Sequence, residues 1–113
     1  MFPAIDPILL SQPRLSIMSL LIKHNHAEFN EIKNVTKITS GNLSIQLSKL
    51  KAASYIEINK QFKGNYPLTI CHITNKGIDA FNEFIKAINS YDVNSISKLE
   101  SESWTPSETF NLQ

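Results

Sequence analysis

The chain has 113 residues, of which 42% are hydrophobic and 19% charged, and its formal net charge is +1. This is an ordinary globular composition, so one domain with one packed core is expected. The sequence has no run of 18 apolar residues, and therefore no membrane association is predicted. Cys71 is the only cysteine. An intrachain disulfide is therefore impossible, which fits a cytoplasmic location.

Charge is distributed unevenly along the chain. Six lysines and one glutamate between positions 33 and 63 give this middle segment a net charge of +5. Residues 90–113 carry one lysine and four acidic residues, a net charge of −3. A basic segment of this kind favours a polyanionic partner, but a solvated lysine face would have the same composition. Charge alone therefore leaves both interpretations open.

Three helices are predicted from their N-terminal caps. Ser11, Thr39 and Thr74 can each accept a hydrogen bond from the first turn of a following helix, and apolar residues flank each cap in a hydrophobic-staple arrangement. The first of these helices ends near His24. The other two are predicted over about residues 40–53 and 74–90.

A shorter helix is predicted over about residues 28–36, because Phe29, Ile32 and Val35 recur at helical spacing. Only a few residues separate this helix from the cap at Thr39. A short helix, a tight turn and a second capped helix form a helix-turn-helix pattern.

The helix over residues 40–53 has two distinct faces. Leu43, Leu47 and Leu50 recur at helical spacing, which predicts that they are buried against the preceding helices. The opposite face is polar and basic, with Ile45 as its single apolar residue. A merely solvated helix face would have the same character, so this face alone does not establish a binding surface.

A β-hairpin and a final helix complete the pattern. Residues 55–62 alternate β-forming and polar side chains, residues 63–67 have turn chemistry, and residues 68–73 form a second β-prone run. The last helix carries an apolar stripe broader than one small core requires, which predicts a homodimer interface formed by Phe81, Phe84, Ile85 and Ile88. The N-terminal segment is a second candidate surface for this contact.

The residues beyond the last helix are rich in Ser, Asn, Glu and Thr. Residues 91–113 are therefore expected to form an acidic polar tail. The tail is either flexible or docked on the partner subunit through Trp104 or Phe110.

Three segments resemble one protein family. TSGNLSIQLSKLKAASYIEI (residues 39–58) resembles the recognition helix and first wing strand of small MarR-like and ArsR-like regulators, and is closest to a compact prokaryotic winged-helix family with the pattern GNLS…HL.KL…GY. ITNKGIDAF (73–81) resembles the start of that family's last helix, and DPILLSQPRLSIMSLL (6–21) resembles its opening helix. The predicted fold class is therefore α+β, mainly α: residues 6–90 form a winged helix-turn-helix with three N-terminal helices, a β-hairpin wing and a C-terminal dimerisation helix.

The resemblance implies a transcriptional regulator that binds double-stranded DNA as a homodimer, without enzymatic activity and without a cofactor. Helix 40–53 would lie in the major groove and wing 60–67 on the flanking backbone. Carried over by position, the DNA-binding residues are Thr39, Ser40, Asn42, Ser44, Ile45, Gln46 and Lys49 of the recognition helix, and Lys60, Lys63, Asn65 and Tyr66 of the wing. No small-molecule effector is indicated.

Three features depart from the family pattern. Gln46 stands where histidine is common, and the wing has no arginine, since the only arginine is Arg14. Lys37 and Ser54 stand where glycine often occurs. If either position requires a positive φ, a strain of about 1 kcal/mol follows, or else the turn differs locally.

The types of side chain on the recognition helix suggest a base preference. Asn42 and Gln46 are residues that pair with adenine, and Ile45 can contact thymine methyl groups. No arginine on this helix is available for guanine. An A·T-leaning palindromic operator is therefore expected.

Two alternative functions remain open. The modest lysine content and the exposed Ile45 also suit a winged-helix module that binds another protein instead of DNA. A metal-responsive repressor is the second alternative, with His24, His26, Glu28, Cys71 and His72 as the only candidate ligands. Because the chain has no pair of cysteines at metal-ligand spacing, no metal site is predicted.

Overall fold

A computed structural model describes residues 2–91 of the chain. In chain order the elements are α1 (Gln12–His24), β1 (His26–Glu28), α2 (Phe29–Thr36), α3 (Ser40–Ala52), β2 (Ile56–Lys63), β3 (Tyr66–Ile73) and α4 (Asn75–Asn89). This order confirms the predicted winged helix-turn-helix. The prediction for the tail falls, apart from Tyr91, outside the described residues. None of the helices in the described part has the length and apolar character needed to cross a lipid bilayer.

The three predicted helix caps are present. The backbone N–H of Arg14 donates to Ser11 at 3.4 Å, that of Asn42 to Thr39 at 3.3 Å, and that of Gly77 to Thr74 at 2.9 Å. Each hydroxyl satisfies a donor that the first turn of a helix would otherwise leave unpaired. Local sequence therefore determines where α1, α3 and α4 begin.

The sheet has one strand more than the predicted hairpin. Its strand order is β1-β3-β2, and both pairings are antiparallel. In the middle of the sheet Cys71 pairs with Ala27 of β1 on one side and with Ile58 of β2 on the other. Strand β1 immediately precedes α2, so it joins the base of the wing to the helix-turn-helix.

The core is formed by the helices packed on one face of this sheet. The predicted leucine face of α3 is buried, and so are the Ile17, Met18 and Leu21 side chains of α1. From the sheet, Ala27, Ile56 and Cys71 complete the same cluster. The helical spacing of Leu43, Leu47 and Leu50 thus has the structural role that the sequence predicted.

The apolar stripe of α4 is used largely within the chain itself. Phe84, expected at the dimer interface, is only 4% exposed and lies in the core of its own chain, and Phe81 packs partly buried against that core. The reason is the helical period, which directs these side chains towards the rest of the domain. Only Ile85 and Ile88, 39% and 38% exposed, remain available on the stripe.

The two positions where the family often has glycine do have a left-handed backbone. Lys37, which follows α2, has φ 62°, and Ser54, which follows α3, has φ 66°. At both residues the backbone N–H still closes the preceding helix, donating to Lys33 O and Lys51 O respectively, each at 2.9 Å. The turn geometry is therefore retained, and a side chain is held in a conformation that costs about 1 kcal/mol.

The N-terminal segment is tied to the rest of the domain through Asp6. One carboxylate oxygen of Asp6 accepts a hydrogen bond from the Ile8 backbone N–H at 2.9 Å, and the other accepts one from the Tyr55 hydroxyl. Burial, together with the hydrogen bond to Asp6 and its negative charge, raises the pKa of Tyr55 to about 12. The neutral phenol is therefore the form that the fold favours.

Candidate nucleic-acid interface

The outward face of α3 carries the predicted recognition residues. Asn42, Ser44 and Lys49 are exposed, and Ile45 is 55% exposed although it is apolar. Gln46 is half-buried at one edge of this face. The leucines hold the other side of α3 in the core. The outward face therefore has a fixed orientation and presents hydrogen-bonding groups and one apolar side chain, Ile45.

The wing and α3 share a cleft of about 340 Å³. Ser44 and Ser48 line it from the helix, and Lys60 lines it from β2, together with Thr69 of β3. One edge of the recognition face therefore continues directly into the wing. A lysine ammonium and three hydroxyls at such a junction suit contact with phosphate oxygens.

The hairpin register places the predicted wing residues on both faces of the hairpin and in its turn. Side chains alternate between the faces of a strand, so Lys60 and Phe62 lie on the same face as the buried Ile56. Lys63 and its partner Tyr66 lie on the opposite face. Asn65 lies in the turn between the strands, where Gly64 has φ 65°. The wing thus presents a cation on each of its faces.

Phe62 was not among the predicted site residues. It is 74% exposed and lies opposite Pro67 near the tip of the wing. Alternation along β2 places Phe62 on the same face as the buried Ile56. The strand extends beyond the core, however, so an inward position at the tip is open to solvent.

A hydrogen-bonded chain joins α1 to the recognition face. Arg14 donates through Nε to Ile8 O at 2.5 Å and through Nη1 to Gln46 Oε1 at 2.6 Å. Gln46 in turn donates through Nε2 to Asn42 Oδ1 at 2.9 Å. The four-residue spacing of Asn42 and Gln46 is visible in the sequence, but the contact with Arg14 depends on how α1 packs against α3.

The residues considered as metal ligands do not converge. The rings of His26 and His72 stack with their centroids 5.5 Å apart, as expected for neighbours on β1 and β3. Cys71 is fully buried, and burial raises the pKa of its thiol to about 11. Among residues 2–91, no three His, Cys, Asp or Glu side chains are grouped so that they could hold a metal ion.

Comparison with known families identifies the chain. A family model described as a winged helix DNA-binding domain matches residues 14–91, which include the recognition face and the wing. The chain belongs to this family. The predicted class, a small DNA-binding winged-helix protein of the kind found in prokaryotic transcriptional regulators, is thereby confirmed, and it is not a class of enzymes.

Two individual proteins are similar to this winged-helix protein, one in sequence and one in structure. An uncharacterized protein of Methanocaldococcus jannaschii is 37% identical over 75 residues, which make up 66% of this chain and 82% of the relative. A transcriptional regulator homologue from Pyrococcus horikoshii has a similar structure, with a TM-score of 0.71 and 27% identity. The match covers 82% of this chain and 88% of that one.

A more distant structure extends the comparison of the fold. Overoxidized AbfR bound to DNA matches with a TM-score of 0.66 and 18% identity, over 90% of this chain and 72% of that one. At this level of identity the similarity concerns the fold alone.

Proposed function

We propose that the protein is a transcriptional regulator that binds double-stranded DNA as a homodimer. In this proposal α3 enters the major groove, and wing residues 60–67 contact the flanking backbone. The observation that carries the proposal is the exposed face of α3 continuing into the cleft lined by Lys60. An α-helix fits the major groove, and hydroxyl, amide and ammonium groups on its outer face can reach base edges and phosphates.

The roles of the named side chains follow from their positions. Lys49 on α3, with Lys60 and Lys63 on the wing, would neutralise phosphates and supply the salt-dependent part of the affinity. Asn42 and Ile45 would contact base edges. Thr39, Ser40 and Ser44 would bind backbone oxygens near the start of the helix, where the exposed N–H groups also favour an anion.

Dimerisation is proposed through α4 and the N-terminal segment. Phe2 stacks on Tyr91 with ring centroids 4.9 Å apart, and the Tyr91 hydroxyl donates to Pro3 O at 3.2 Å. This contact places the exposed Phe2 beside the end of α4, on which Ile85 and Ile88 are also exposed. Exposed apolar side chains on these two segments are what a second copy of the chain would cover on dimerisation.

The proposal is tested by binding to the DNA upstream of the protein's own gene at several salt concentrations. We expect the logarithm of the affinity to fall linearly with the logarithm of the salt concentration. Lys49→Ala and Lys60→Ala should each reduce the steepness of that slope by about 2, because each substitution removes two lysines from the dimer and each lysine releases roughly one counterion. Lys86→Ala on α4 is the matched control and should leave the slope unchanged. A footprint on the same DNA would locate the operator.

The oligomeric state is measured in the same buffer by sedimentation or light scattering. The unmodified chain should be dimeric, and Ile88→Glu should shift it towards monomer. Asn75→Glu, which makes the same change of charge at the exposed start of α4, should not. The dimer proposal would be contradicted if the unmodified chain bound DNA but remained monomeric at every protein concentration.

A protein-binding role is the second candidate function. The observation that favours it is the exposure of two apolar side chains, Ile45 on α3 and Phe62 on the wing. If this role is correct, the protein is not retained by DNA even at low salt.

A further inference from the structure

The hydrogen-bonded chain from Arg14 to Asn42 has a fixed direction. A guanidinium group can only donate hydrogen bonds, so the side-chain atom of Gln46 that faces Arg14 must be its oxygen. The amide nitrogen of Gln46 is then the atom that faces Asn42, and it can only donate. Asn42 must therefore turn its oxygen towards Gln46.

The starting point of this chain is itself held in place. Arg14 uses Nε to donate to Ile8 O at 2.5 Å, which leaves Nη1 directed at Gln46. Both Arg14 and Gln46 are half-buried, whereas Asn42 is exposed on the outward face of α3. The chain thus runs from a fixed cation to an amide on the recognition surface.

We propose that Arg14 and Gln46 act as positioning residues that make Asn42 a hydrogen-bond donor towards DNA. With Oδ1 engaged by Gln46, the Nδ2 group is the part of Asn42 left to donate to a base. This inference rests on the proposed function and deepens it by naming the kind of base edge that is recognised. Thymine O4 and the N7 and O6 atoms of guanine are acceptors, whereas the N4 amino group of cytosine is a donor. Asn42 should therefore favour a base with an acceptor at its contact position and reject cytosine.

The experiment uses the full chain and an operator selected from a random oligonucleotide pool. The contact position is the one at which Asn42→Ala removes the base preference. At that position, in one half-site, a thymine·adenine pair is compared with a 5-methylcytosine·guanine pair. The partner purine changes from adenine, with its N6 amino donor, to guanine, with its O6 acceptor, so both pairs are also compared with their strands exchanged to show which base Asn42 faces. The two pyrimidines both carry the methyl group but differ in having O4 or an N4 amino group. We expect the unmodified protein to bind the thymine operator about 5- to 10-fold more tightly than the 5-methylcytosine operator. This is the range expected when one hydrogen bond to the base is replaced by an unfavourable pairing of two donors.

The decisive variant is Gln46→Glu. A carboxylate can only accept, so it remains bonded to Arg14 but now requires Asn42 to donate to it. The Asn42 amide would then present its oxygen outward, and the preference should reverse in favour of 5-methylcytosine. Because this variant also adds a negative charge, Ser48→Glu on the same helix is the matched control. It should weaken binding to both operators and leave their ratio unchanged.

An uncharged variant provides the second measurement. The methionine of Gln46→Met has a similar length but no amide group that donates or accepts a hydrogen bond. Asn42 is then free to rotate, and the ratio of the affinities for the thymine and 5-methylcytosine operators should fall to about 1 to 2. Circular dichroism establishes that each variant is folded. A Gln46→Glu or Gln46→Met protein that keeps the unmodified preference for thymine would overturn the inference while leaving DNA binding intact. Absence of any sequence preference in the unmodified protein would instead overturn the proposed function, and the inference with it.

Discussion

Gly77 on α4 is the position where a single added methyl group should do the most damage. A Cβ atom at this residue would lie 2.2 Å from Tyr55 O and 3.0 Å from Tyr55 C. That carbonyl cannot easily move, because it accepts a hydrogen bond from Thr74 N at 3.0 Å while Tyr55 N donates to Leu50 O at 3.0 Å. Forced overpacking of this kind costs about 1–3 kcal/mol or more, whereas the helix propensity gained on replacing glycine by alanine is at most about 1 kcal/mol.

Gly77→Ala is therefore expected to lower the free energy of unfolding by about 2 kcal/mol, which corresponds to a fall in melting temperature on the order of 10 °C. The matched control is Gly41→Ala in α3, where an added Cβ meets no atom within 4 Å. Alanine loses less backbone entropy than glycine when the helix folds, so this variant should be more stable by about 0.5–1 kcal/mol. Urea unfolding followed by circular dichroism at one fixed protein concentration measures both. If the two variants change stability in the same direction, the argument from the Tyr55 carbonyl is wrong.

Three further outcomes are expected. Ser54→Gly should raise the free energy of unfolding by about 1 kcal/mol, because glycine adopts φ 66° without strain; an unchanged urea midpoint would contradict this. Since the pKa of Tyr55 is raised from 10.0 to about 12, its stabilising effect is complete below pH 10 and lost as the pH rises towards 12. Tyr55→Phe should accordingly lose less stability over that interval than the unmodified protein, as measured by urea midpoints at each pH. The buried Cys71 thiol should react with a disulfide reagent only as fast as the protein opens, so equal rates in native and urea-unfolded protein would refute its burial.

The parts of the fold that could be predicted are those determined by neighbours in sequence. The caps at Ser11, Thr39 and Thr74 depend on hydrogen bonds within one helical turn, so their residue types were sufficient evidence. The leucine face of α3 follows in the same way from helical spacing. Strand β1 could not be predicted, because three residues are too few to show a period and the strand exists only by pairing with β3.

The parts that could not be predicted depend on packing between distant segments. The broad apolar stripe of α4 predicted a partner surface. The breadth of a stripe does not distinguish burial within one chain from burial between two chains, and Phe84 lies in the core of its own chain. For the candidate site, the sequence indicated which side chains lie on the outward face of α3. It did not indicate that Arg14, 32 residues before Gln46, contacts it. The DNA-contact and dimer assignments themselves remain predictions.

The short length of β1 has a consequence for the mechanics of the wing. Strand β1 pairs only with residues 70–72 of β3, so the remaining part of the wing, out to the turn at Gly64, is a ribbon of two strands. Such a ribbon is only marginally stable without a third strand or a covering helix. Its amide hydrogens should exchange with solvent well before those of the three-stranded base. In the proposed complex, a tip that opens locally at low energetic cost would follow grooves of different width, but the order it acquires on contact would reduce its net contribution to affinity.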